Sequence, residues 1–209
     1  MEPENTKEKT MKFFVNFLSA FRIAAAFAII PMIMFGWYWA TFIVYVLAAV
    51  SDFFDGYLAK KYNATSKLGG VLDHIGDKLL VANTMIMLAI MMPVWFVVVP
   101  VIIMISRELY ISGLREFLGT QKMEMPVPAA RFSLGKVKTT LQMITIGAFL
   151  LMFAVAASLT PNMTSRFVIF MIYALPSVGA FGMWACLVFS VVSAAQYTRT
   201  FAEKMKKIK

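Results

Sequence analysis

Long apolar runs separated by short polar turns dominate the chain. They fall at about 13–35, 38–59, 71–92, 94–117, 137–159 and 167–195. Each reaches roughly 20 residues, enough for an α-helix to cross the hydrocarbon core of a bilayer. The pattern predicts an all-α, polytopic membrane protein with six transmembrane helices. The first run is too long for a signal-peptide core and shows no clear cleavage site, so it reads as a span. Residues 1–12 then form a polar N-terminal segment, 13–197 a six-helix transmembrane domain, and 198–209 a basic tail, read as a surface helix or a frayed end.

Charge placement orients these spans. The turns near Gly36 and Pro93 carry no Lys or Arg, and residues 160–166 carry only Arg166. The other side collects the basic residues, among them Lys60, Lys61, Lys67, Lys78, Arg115, Lys122, Arg131, Lys136, Lys138, Arg199 and Lys204. The positive-inside rule places that side, both termini and the acidic stretch discussed next in the cytoplasm. With 209 residues, a mean hydropathy of +0.75 and a net charge of +9, the chain is one membrane domain suited to an anionic lipid surface or a phosphorylated substrate. Nucleic acid is not expected, because the charge is spread over membrane loops. The lone Cys186 lies in an apolar run and reads as inert filler. The 17 Met read as lipid-facing or packing residues.

One polar stretch stands out. Residues 51–78 carry Asp52, Asp55, Asp73 and Asp77 between two apolar runs. Asp52 and Asp55 are three apart and Asp73 and Asp77 four apart, so each pair shares a helix face. A short turn joins the runs, which makes the helices antiparallel neighbours and brings the carboxylates to one level near the membrane surface. Ionisable groups there are functional candidates. Four converging carboxylates repel unless a cation joins them, and an all-oxygen acidic site suits Mg²⁺ or Mn²⁺. Gly56 and Ala59 are small enough for a phosphate or nucleotide to approach the backbone. Gly69 and Gly70 are expected to break the chain before the third helix. Asp73 and Asp77 would then lie in its first turns, where the helix dipole also favours negative charge. His74 reads as a packing or interface residue, or as a contact behind the carboxylates.

Cations elsewhere carry two readings each. Asn16, Ser19 and Arg22 form a polar stripe on the first helix. Arg22 either snorkels to the interface or faces the carboxylates and helps hold a phosphate. Arg107 and Arg115 either pair with their neighbours Glu108 and Glu116 or meet a substrate phosphate, for which the guanidinium fork is well shaped. Lys136 and Lys138, near the start of the fifth helix, mark a second anion site or only the interface. Gly179, Gly182 and Ala185 permit close packing of the sixth helix.

Residues 52–77 resemble the signature of the CDP-alcohol phosphatidyltransferase family, D-x-x-D-G-x-x-A-R-x8-G-x3-D-x3-D. Asp52, Asp55, Gly56, Ala59, Gly69, Asp73 and Asp77 are in register, with Lys60 where the family has Arg. N-F-L-S-A-F-R-I, S-R-E-L-Y-I-S-G-L-R-E and G-K-V-K-T-T-L-Q-M are similar to the phosphatidylglycerophosphate synthase branch. L-D-H-I-G-D-K departs from that branch's usual L-D-P-x-A-D-K at His74 and Gly76.

The resemblance implies transfer of the phosphatidyl group of CDP-diacylglycerol to sn-glycerol 3-phosphate, in a bacterial inner (cytoplasmic) membrane, by a homodimer with its active site at the cytoplasmic end of the bundle. It implies two Mg²⁺ or Mn²⁺ ions held by Asp52, Asp55, Asp73 and Asp77, about 4 Å apart. Asp77 shares the ions or serves as general base. Asp52, Gly56, Ala59, Lys60, Ser66 and Gly69 would bind the nucleotide. Asn16, Ser19, Arg22, Arg107, Arg115, Lys136 and Lys138 are the candidates for phosphate and acceptor. The rival within the family is a cardiolipin synthase with phosphatidylglycerol as acceptor. From other classes, the rivals are a non-catalytic membrane protein that binds a cation to organise its helices, and a cation transporter. Transport sites usually lie near the midplane, away from where this cluster is expected.

Overall fold

The computed structural model describes the backbone over residues 6–61, 67–120, 134–159 and 166–206, and side chains over 11, 13–52, 69–120, 138–159, 170–171 and 173–206. Among the described residues there are helices and no strand: α1 (Thr6–Met34), α2 (Tyr38–Lys61), α3 (Lys67–Met91), α4 (Trp95–Thr120), α5 (Leu134–Ala157) and α6 (Arg166–Met205). All six apolar runs of the sequence lie in these helices. Five have the length and apolarity to cross a membrane, while α2 carries a shorter apolar stretch, Tyr38–Asp52, before its acidic end. The chain is a multi-pass, all-helical membrane protein.

Helix ends depart from the sequence reading where local propensity outlasts the hydrophobic run. α1 begins at Thr6, inside the polar segment 1–12. Lys, Glu and Met are good helix formers there. α6 runs without interruption to Met205. α3 starts at Lys67, which puts Gly69 and Gly70 inside its first turn rather than before it. Glycine costs a helix roughly 1 kcal/mol relative to alanine, a penalty a long apolar helix absorbs. Asp73 and Asp77 therefore lie beyond the first turn. The helix-end dipole fades within that turn and does not account for them.

The α1–α2 turn shows how a glycine sets a helix end. Gly36 has φ +76°. Its N–H donates to Ile33 O (3.0 Å) and the Trp37 N–H to Met32 O (2.8 Å), the paired bonds of a Schellman stop.

The residues group into two compact units. One comprises 1–88 and 146–176, the other 89–145 and 177–209. In the first, α1 and α3 run parallel, tied by Asn83 Nδ2 donating to Ala26 O (3.0 Å). α5 lies antiparallel to α2, with Tyr38 stacked on Phe153 and Trp39 Nε1 donating to Ser158 Oγ (2.6 Å). Ile29, Tyr45, Leu80, Leu88 and Phe149 fill its interior. In the second, α4 and α6 run parallel. Contacts follow one another from Trp95 on Trp184, through Arg107 on Ser190 and Ser193, to Phe117 on Phe201. Large apolar side chains such as Phe27, Ile102, Phe170 and Phe181 are exposed, as suits a surface solvated by lipid.

Candidate functional site

The first cluster lies within the first unit. α1 presents Asn16, Ser19 and Arg22 on one face, three residues apart. Ser19 and Arg22 are fully buried. That burial decides between the two readings of Arg22: its guanidinium does not snorkel outward but faces carboxylates of α2 and α3. Nη1 lies 3.1 Å from Asp52 Oδ1 and 2.8 Å from Asp73 Oδ1, and also donates to Asp77 Oδ1. One nitrogen thus meets three carboxylates.

The helices explain the convergence. Asp52 stands where the described apolar stretch of α2 ends, and Asp73 and Asp77 occupy successive turns on one face of α3. Gly76, between them, is buried. A methyl group there would lie 3.4 Å from Ile23 Cγ1 and 3.5 Å from both Arg22 Cδ and Ser19 O, so α3 lies close against α1 at the level of Arg22. His74 is exposed on the same helix.

Burial is uneven across the cluster. Arg22 has no exposure, whereas the Asp52, Asp73 and Asp77 side chains are 29%, 45% and 32% exposed. The carboxylates can be reached by a ligand, whereas their guanidinium partner is wholly enclosed. Three carboxylates against one guanidinium leave a formal excess of two negative charges among these four side chains. Oxygens of Asp52, Asp73 and Asp77 lie within 4.8 Å of one another. An all-carboxylate set with that surplus fits a hard divalent cation. Asp55, Gly56, Ala59 and Lys60 belong to α2, but their side chains lie outside the described residues, as does Ser66. Gly69 is buried in the first turn of α3.

The second cluster lies within the second unit and has the opposite sign. Glu108 Oε1 accepts from Arg107 Nη1 (2.8 Å) and from Lys138 Nζ. Arg107 also donates through Nε to Ser190 O (3.2 Å) and through Nη2 to Ser193 Oγ (2.7 Å). Lys138 is buried. Arg107 and Glu108 therefore do form the internal pair that their adjacency suggested, and the pair extends to a lysine on another helix. Arg115 reaches Tyr197 instead of its neighbour Glu116. Nη2 donates to the phenol oxygen (2.9 Å), and the guanidinium carbon lies 5.2 Å from the ring centroid. The Lys136 side chain lies outside the described residues.

Sequence reading missed the bridging role of Glu108 and the polar seam around it. Lys138, Gln142 and Thr145 on α5 and Cys186, Ser190 and Ser193 on α6 are all buried. Each set is spaced i, i+4, i+7, the signal of one helix face that would have identified the seam. Gly182 lets the two helices meet there: a methyl group at that position would overlap Thr145 Oγ1.

Comparison with known proteins adds the following. Residues 13–192 match the model of the CDP-alcohol phosphatidyltransferase family. A protein of Rickettsia bellii named CDP-diacylglycerol–glycerol-3-phosphate 3-phosphatidyltransferase is 40% identical over 143 residues, 65% of this chain and 74% of that protein. A protein of the same name from Pectobacterium atrosepticum is 36% identical over 140 residues, covering 64% of this chain and 74% of the other. One from Haemophilus influenzae is 33% identical over 148 residues, 67% of this chain and 77% of its relative.

Proposed function

The chain belongs to the CDP-alcohol phosphatidyltransferase family, and we propose that it transfers the phosphatidyl group of CDP-diacylglycerol to sn-glycerol 3-phosphate, giving phosphatidylglycerophosphate and CMP. The observation that carries this reading is the convergence of Asp52, Asp73 and Asp77 on one point with an excess of negative charge. A diphosphate cannot approach such a point without cations, so the site suits a metal-bound phosphorylated donor.

In this reading Asp52, Asp55, Asp73 and Asp77 hold two Mg²⁺ or Mn²⁺ ions. When bound, the ions neutralise the diphosphate and the departing CMP. Asp77 takes the proton of the acceptor hydroxyl, whose oxygen forms the new bond to the β-phosphorus as the bond to CMP breaks. Asp52, Gly56, Ala59, Lys60, Ser66 and Gly69 line the nucleotide site. Asn16, Ser19 and Arg22 lie along the phosphates.

Arg107, Arg115, Lys136 and Lys138 receive the acceptor phosphate. Two cations sharing the single carboxylate of Glu108 support that assignment, because the pair retains a net positive charge toward an anion. The names of the bacterial relatives support sn-glycerol 3-phosphate as the acceptor. We further place the protein in a bacterial inner membrane as a homodimer, with six spans within 13–197, a polar segment at 1–12 and a basic tail at 198–209. Both termini and the active site face the cytoplasm. The asymmetry of Lys and Arg between the two sets of turns supports that orientation.

The test is purified protein with Mg²⁺, CDP-diacylglycerol and radiolabelled sn-glycerol 3-phosphate. Label should enter lipid, and Asp77→Asn should lower the rate by about 10³-fold. CMP release with phosphatidylglycerol instead would move the acceptor assignment to a cardiolipin synthase. Folded protein from which no alcohol releases CMP would refute the transferase reading and leave a structural cation site.

A further inference from the structure

A single nitrogen of Arg22 stands where three carboxylates converge. Nη1 is 3.1 Å from Asp52 Oδ1 and 2.8 Å from Asp73 Oδ1, and it also donates to Asp77 Oδ1. A Mg²⁺ ion bound by those same oxygens would need them at about 2.1 Å, within the space that Nη1 fills. The guanidinium and the ion cannot both occupy that point.

Nor is the guanidinium free to leave the interior. Arg22 is fully buried in α1, and its Cδ lies beside Gly76 of α3. Burying the guanidinium of Arg22 is costly unless carboxylates neutralise it, and Asp52, Asp73 and Asp77 do so from a partly exposed position. Without Arg22, the described residues would leave three carboxylates converging with no guanidinium at their centre.

We infer that Arg22 is a built-in placeholder for the divalent ion. It holds Asp52, Asp73 and Asp77 together before metal arrives, and it yields Nη1's position when the ion enters. The protein then has two interchangeable ways of neutralising one cluster: its own guanidinium or an external cation. Displaced, the guanidinium remains next to the ion site and turns to the phosphate oxygens that the metal brings with it. Arg22 is thus a positioning residue in the metal-free state. Two consequences follow. Metal affinity is reduced by an internal competitor, and stability of the metal-free protein depends on that competitor. The inference rests on the metal-binding reading of the aspartates.

The experiment uses full-length protein in detergent with Mn²⁺ as the probe. Affinity is read by electron paramagnetic resonance of free Mn²⁺, and thermal unfolding is followed in chelator and in Mn²⁺. Wild type is compared with Arg22→Gln, which removes the competing charge, and with Arg22→Lys, which keeps a cation. Arg22→Gln should bind Mn²⁺ at least about fivefold more tightly than wild type, the low end of ordinary coupling between sites. It should unfold at a lower temperature in chelator and gain more from Mn²⁺ than wild type does. Arg22→Lys should stay close to wild type on both measures.

If Arg22→Gln folds only when Mn²⁺ is present, the inference also stands, because the ion has replaced the missing cation. Unchanged or weaker Mn²⁺ binding in Arg22→Gln overturns it, as does failure to fold in either condition. Asp73→Asn in the wild-type background separates the two readings. Absence of Mn²⁺ binding in wild type, or binding that survives Asp73→Asn, refutes the metal site itself. Binding lost in Asp73→Asn but unaltered in Arg22→Gln refutes only the placeholder.

Discussion

The two charged clusters are inverses of each other. In the first unit one buried guanidinium serves three carboxylates; in the second one carboxylate serves a guanidinium and an ammonium. Both are made of side chains that an apolar helix buries at a cost, and both are neutralised only in part from within. Among the described residues the surplus differs in sign, negative around Arg22 and positive around Glu108. A cluster balanced for stability alone would have no reason to keep a surplus. In the transfer proposed above, the first set would receive a cation and the second an anion.

The same contrast extends to the glycines that let the helices approach. Gly76 in the first unit has room for a methyl group at ordinary contact distance, whereas Gly182 in the second has none. One position tolerates growth and the other does not.

These differences can be tested in order of size. Asp77→Asn removes one negative charge from the carboxylate cluster, and the loss of about 10³-fold in transfer rate is the largest effect expected. Glu108→Gln keeps the shape of the second cluster but leaves Arg107 and buried Lys138 without their carboxylate. Leaving the buried ammonium without its half-exposed carboxylate costs up to roughly 3 kcal/mol, which thermal unfolding in detergent would register as a drop in midpoint. An unchanged midpoint would mean that Glu108 does not hold the two cations, and the contrast fails. Gly182→Ala forces a methyl group onto Thr145 and should destabilise the protein by about 1–3 kcal/mol in the same assay. Gly76→Ala should do the opposite. Its methyl makes contacts without overlap, and alanine restricts the unfolded chain, so a gain of roughly 0.5–1 kcal/mol is expected. A loss there would show that α1 and α3 are packed more tightly around Arg22 than the distances imply.

Most of the architecture was legible because hydrophobic run length is a strong signal in a membrane chain. Residues in lipid must satisfy their backbone within the helix, so a run of about 20 apolar residues leaves few alternatives. The boundaries were less legible at Thr6, Lys67 and Met205, where helix propensity carries the element beyond the apolar run. The spacing of Asp52, Asp73 and Asp77 exposed the first cluster because both pairs of aspartates repeat at helical intervals. The second cluster was half visible: Arg107 beside Glu108 suggested a pair, but Lys138 is 30 residues further along. Only packing of α4 against α5 reveals that it shares the carboxylate.

By itself the sequence determined the helices, the family and the face on which each charged residue stands, since all three depend on residue type and local spacing. Tertiary structure decided which charges meet. It turned Arg22 inward to three carboxylates, joined Lys138 to Glu108, and set Arg115 on Tyr197 in place of its neighbour. Those pairings depend on how closely helices distant in sequence can approach. That distance is set by residues such as Gly76 and Gly182, which lack a side chain and whose effect appears only when the partner helix is in place.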